Sequence, residues 1–97
     1  MTNNRSRKLL DLAHTVNECT NCGTWTQGCE PAHENGIAAG KGQSIKGHDN
    51  RHAALCHVCH IWYDSGPATR EEKADMWNRA HKRTFDLYWS RGLLKVA

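Results

Sequence analysis

The sequence predicts a small α+β domain: a zinc-stabilised treble clef with a helix before it and a long helix after it. Three observations carry this expectation. Cys19-Thr-Asn-Cys22 and Cys56-His-Val-Cys59 are two Cys-x-x-Cys pairs, the spacing at which two knuckles supply four thiolates to one tetrahedral zinc. The span between the pairs exceeds that of a compact zinc ribbon, so other structure is inserted there, and the second pair opens a helix. Finally, 97 residues make one domain, 1–97, and only 38% of them are apolar. A chain this short buries about 60–65% of its unfolded surface, so a bound metal is expected to supplement the core.

The first element is an amphipathic helix over Arg5 to Val16, with Leu9, Leu12, Ala13 and Val16 on one face and Ser6 as N-cap. A turn-rich segment from Cys19 to Gly28 follows. Gly36 to Gly47, "GIAAGKGQSIKG", reads as an irregular loop whose Lys41 and Lys46 are able to meet phosphates. It is not a P-loop, because no strand precedes it and no helix follows it directly. Helical character resumes near Cys56 and is expected to stop at Gly66-Pro67 with a left-handed cap residue. "TREE", from Thr69, is a capping box. It opens a helix to about Ser90 that supplies most of the core through Met76, Trp77, Ala80, Phe85, Leu87 and Tyr88.

No apolar run approaches the roughly 18 residues of a spanning helix, and no signal peptide is visible. A soluble, cytoplasmic protein with reduced thiols is expected, which argues against a disulfide framework. Neither Cys-x-x-Cys pair has the βαβ setting of a thiol redox protein. Cys29, the odd cysteine, reads as a small, partly buried thiol. The net charge of +3, with basic residues near both ends and in the glycine-rich loop, suits a polyanion such as nucleic acid.

With Cys56 and Cys59 committed to zinc, His57 and His60 are expected on opposite sides of the helix start. His60 and Asp64 are four apart and share a helix face, so they are able to hold one metal together. His33 lies between the knuckles, where a treble clef carries its hairpin.

The order Cys19, Cys22, Ala32-His33, a glycine-rich loop, Asp49 and then "CHVCH" with Asp64 resembles the YbcO family, small prophage-encoded nucleases of the HNH or His-Me finger type. The resemblance runs from about Glu18 to Asp64, with a C-terminal helix of matching length. It implies a ββα-metal core over about residues 18–66 and an endonuclease that hydrolyses phosphodiester bonds in phage or prophage DNA metabolism. It further implies that His33 is the general base that activates water. Asp49 or Asn50 would orient the His33 ring. His60, with Asp64, would hold a catalytic magnesium or manganese ion distinct from the zinc. In many HNH enzymes an aspartate precedes the hairpin histidine as a metal ligand; here that position is Ala32, and Glu34, Asp49, Asp64 or water would replace it. The expected partner is nucleic acid, DNA before RNA, and the long helix offers a homodimer interface. The competing expectation is a zinc-stabilised nucleic-acid or protein adaptor in which His33 and His60 do no chemistry.

Overall fold

The computed structural model describes residues 6–34 and 51–94. The Ser6 side chain accepts from the Leu9 amide at 3.2 Å and starts a short helix, α1, Arg7–Asp11. The helix does not run on regularly to Val16; it tightens into a 3-10 turn over Leu12–Thr15. His14, Thr15 and Val16 are weak helix formers, and the Thr15 hydroxyl donates to the Leu12 carbonyl at 2.7 Å, satisfying a group the helix end leaves free. Gly28 packs against this turn with φ +106, where a Cβ would lie 2.6 Å from the His14 carbonyl oxygen, so only glycine permits the approach.

Two strands, β1 Glu30–His33 and β2 His52–Leu55, form an antiparallel ribbon in which Glu30 faces Leu55 and His33 faces His52. The Glu34 amide donates to the Arg51 carbonyl at 3.2 Å, which sets the alternation of the ladder. It places Pro31 opposite Ala54 in a pair that exchanges no hydrogen bonds, the position where a residue without an N–H costs the ladder nothing. Side chains alternate across the ribbon. Ala32, Ala53 and Leu55 belong to a buried cluster with Cys19, Cys56, Cys59, Tyr63 and Trp77, whereas Ala54 joins Ala13, Val16, Cys29 and Tyr88 on the other face.

Helix α2, His57–Ser65, follows β2 directly. It ends at Gly66, but not through the left-handed conformation expected of that glycine, which has φ −71 and ψ 163. The following proline disfavours compact geometry at its neighbour and holds Gly66 extended. Glycine is required there by space: a Cβ would meet the Trp62 carbonyl oxygen at 2.6 Å.

Helix α3, Arg70–Ser90, begins with the expected capping box, Thr69 Oγ1 accepting from the Glu72 amide at 3.0 Å and the Glu72 carboxylate from the Thr69 amide at 3.2 Å. It lies along β2 and buries Met76, Trp77, Ala80, Thr84 and Tyr88. The Trp77 indole donates to the Ala32 carbonyl at 2.9 Å, tying the helix to β1. Thr84 holds the outer edge of β2. Its hydroxyl donates to Ala80 O at 2.7 Å and accepts from the Ala54 amide at 2.9 Å. Thr84→Val keeps the volume and removes that acceptor, so it should cost about 1–3 kcal/mol, the penalty of an unsatisfied buried donor, measured as a lower denaturant midpoint.

His81 stacks on Trp77 at 4.7 Å between centroids, and its Nδ1 donates to the His52 carbonyl at 2.8 Å. That leaves Nε2 to accept from Arg51 Nη1 at 3.3 Å. Burial first, and then the Arg51 charge, hold His81 below the ordinary histidine pKa, keeping the ring neutral. Arg51 also makes a two-pronged ion pair with Glu34, both contacts 3.1 Å, which clamps the end of the ribbon beyond His33. No helix among the described residues is long and apolar enough to cross a membrane.

Candidate metal centre and the histidine cluster beside it

The first knuckle is a tight turn. The Cys19 amide donates to the Thr24 carbonyl and the Gly23 amide to the Cys19 carbonyl, both at 3.0 Å, with Gly23 at φ +78 and a bridge pairing Glu18 with Trp25. The second knuckle is the junction of β2 and α2, with Cys56 as N-cap and Cys59 on the first turn. The Thr20 amide and hydroxyl both donate to the Ala54 carbonyl, at 3.1 and 2.8 Å, and this seats one knuckle against the other.

The four sulfurs of Cys19, Cys22, Cys56 and Cys59 all lie within 4.8 Å of one another, forming a group able to hold a metal ion. Cys22 Sγ and Cys56 Sγ are 3.8 Å apart. Two thiolates on one tetrahedral zinc, each bonded at about 2.3 Å, lie about 3.8 Å apart, so the spacing fits zinc. Donors turn toward the sulfurs as they do toward thiolates: the Cys22 amide reaches Cys19 Sγ at 3.5 Å and Asn21 Nδ2 reaches Cys59 Sγ at 3.4 Å. The thiols differ in environment. Hydrogen bonds to Thr24 bring Cys22 down to about 6, while burial pushes Cys59 up to about 12. Cys29 stands outside this group, buried in the second cluster with its sulfur 3.5 Å from the Glu18 carbonyl.

On the same helix as Cys59, His60 Nε2 lies 3.3 Å from Asp64 Oδ2. Its other nitrogen, Nδ1, lies 2.7 Å from Glu30 Oε1, and Glu30 Oε2 lies 3.0 Å from His57 Nδ1. His57 and His60 therefore converge on one carboxylate and do not diverge around the helix start as expected, because residues three apart are neighbours on a helix surface. Burial raises the Glu30 pKa, but the hydrogen bonds from His60 and His57 outweigh it, and the carboxyl ends below its ordinary value. Sequence reasoning missed Glu30, although one signal pointed to it. Ala32 occupies the position that lacks its acidic ligand, and the residue two before it shares its face of the strand. Glu34 also shares that face, but its carboxylate is committed to Arg51.

Two protein donors 3.3 Å apart suit adjacent positions on an octahedral magnesium or manganese ion, whose ligands at about 2.1 Å stand about 3 Å from one another. Such ions keep several waters, so two donors suffice for a weak site. Among the described residues, the cysteines form the group in which three or more donors come within mutual reach.

His33 lies at the opposite end of β1 from Glu30. It faces His52 across the ribbon, and alternation puts it on the Pro31 and Ala54 side, whereas Glu30 and Ala32 point to the α2 side. Asp49, Asn50, Lys41 and Lys46 lie outside the described residues. Comparisons with family models, with curated proteins and with solved structures give no match.

Proposed function

We propose that the protein is a metal-dependent endonuclease, a zinc-bearing treble clef of the HNH type. The observation that carries this reading is the His60–Asp64 pair, its donor atoms 3.3 Å apart on the helix that follows a histidine-bearing hairpin and next to a four-cysteine metal group. In this reading His33 takes the proton from the attacking water, Asp49 orients its ring, and His60 and Asp64 hold a magnesium or manganese ion. The ion supplies polarisation of the scissile phosphate and stabilisation of the leaving oxygen. Zinc in the cysteine group is structural. The substrate is nucleic acid, DNA before RNA, met in the cytoplasm of a bacterial host by a protein able to pair as a homodimer through α3.

The test is cleavage of plasmid, single-stranded DNA and RNA by the zinc-loaded protein with magnesium, manganese or neither. Cleavage that requires the added ion supports the reading. Its absence on all three substrates with both ions overturns it.

A second reading, a nucleic-acid-binding adaptor without chemistry, is favoured by the placement of His33 on the ribbon face opposite Glu30. Both readings share an electrostatic expectation: affinity falls steeply with salt and shows little sequence preference, because lysines and arginines neutralise phosphates without reading bases. Lys41→Ala with Lys46→Ala should weaken binding uniformly across sequences and flatten the slope of log affinity against log salt by up to about two. Affinity indifferent to ionic strength would remove the basic residues from the interface.

A further inference from the structure

His60 presents two ring nitrogens to two carboxylates, Nδ1 to Glu30 at 2.7 Å and Nε2 to Asp64 at 3.3 Å. A neutral imidazole has one N–H and one lone pair. The shorter contact is the hydrogen bond, so the proton sits on Nδ1 and is donated to Glu30. Nε2 then points a lone pair at an Asp64 oxygen that also carries only lone pairs. Two acceptors so placed are held together by a cation between them, which is either a proton on Nε2 or a metal ion that replaces it. The arrangement suits a divalent ion shared by Nε2 and Oδ2.

We propose that Glu30 is the positioning residue of this site: it fixes the His60 ring with Nδ1–H donated to its carboxylate, so that Nε2 is the metal-ligating nitrogen beside Asp64. The inference rests on the reading of His60 and Asp64 as a metal pair and adds what holds that pair in register. Glu30 is suited to the role because it is itself held. Its backbone is paired with Leu55, next to Cys56, and its second oxygen is fixed by His57 Nδ1 at 3.0 Å. The His60 side chain stays 25% exposed and that of Asp64 53%, so an ion reaches them from water without opening the core. A carboxylate behind a ligating histidine sets its tautomer and raises its basicity, and losing such a partner typically weakens metal binding by about 10–100-fold.

The experiment uses the zinc-loaded full chain with 15N-labelled histidine. In the wild type, long-range nitrogen–proton spectra should show His60 as the Nδ1–H tautomer, and magnesium should shift the Nε2 signal. A wild-type His60 that is Nε2–H, or a doubly protonated ring that magnesium leaves unchanged, overturns the proposal without any variant. Manganese binding, read by the loss of free-ion electron paramagnetic resonance signal, should weaken by about 10–100-fold in Glu30→Ala, whose His60 should show mixed tautomers. Glu30→Gln retains an acceptor oxygen and should recover most of the affinity, and His57→Ala, which frees only the second Glu30 oxygen, should weaken binding less than Glu30→Ala does. If His60→Ala loses manganese affinity while Glu30→Ala does not, Glu30 has no positioning role and the metal pair stands. If His60→Ala itself binds manganese as tightly as the wild type, the metal reading fails.

Discussion

Removing the metal from the cysteine group is expected to abolish cooperative unfolding altogether. Cys19, Cys56 and Cys59 are part of the main buried cluster, packed with Ala32, Leu55, Tyr63 and Trp77. The group joins a turn-rich segment near the N-terminus to the β2–α2 junction, which the Thr20 bonds to Ala54 also link. Structural zinc contributes on the order of 10 kcal/mol to small domains, comparable with their entire net stability of about 5–15 kcal/mol. Cys59→Ser should therefore give a largely unfolded chain with less than one bound zinc, as should a strong chelator applied to the wild type. Purified wild type should carry about one zinc per chain. Cys29→Ala is the contrasting variant. It removes a buried sulfur that stands outside the group, so it should lower the melting temperature while leaving the zinc stoichiometry at one. A metal-free wild type that melted cooperatively at the temperature of the loaded protein would remove zinc from the folding argument.

Elements that depend on local chemistry were legible in the sequence. The Thr69 capping box, the Ser6 cap and the two knuckles each follow from residues within four positions of one another, and the structure has all of them. What was not legible depends on a partner distant in sequence. Thr84 and His81 are polar residues within an apolar stripe, and they sit buried and half-buried there because Ala54 and His52 offer them backbone groups across the helix–sheet contact. Gly66 was read by residue type as a left-handed cap, but Trp62 and Pro67 decide its role. The candidate site divides in the same way. The i, i+4 spacing of His60 and Asp64 is a local signal, and the structure has their side-chain atoms 3.3 Å apart. Glu30 meets His60 only after the β1–β2 pairing brings Glu30 beside Leu55, and that register cannot be read from composition.

The largest effect on activity is expected at His33, and it should differ in kind from the effect at His60. On the endonuclease reading, His33→Ala removes the group proposed to take the proton from water, so substrate and divalent ion should bind as before while the chemical step slows by roughly 10²–10⁴-fold. Added magnesium should restore nothing, because the deficit lies in proton transfer. His60→Ala removes a ligand instead, and its lost activity should return in part as the metal concentration is raised toward the weakened dissociation constant. Asp64→Ala should follow His60→Ala on that reading, since the two donor atoms stand 3.3 Å apart and would share the proposed ion. The His33 variant also decides between the two functional readings. Its side chain faces His52 and not the Glu30 side of the ribbon. An endonuclease of this design loses turnover in His33→Ala at unchanged affinity for nucleic acid. Equal cleavage rates for His33→Ala and the wild type on every substrate would exclude His33 as the base, and a wild type that binds without cleaving would establish the adaptor.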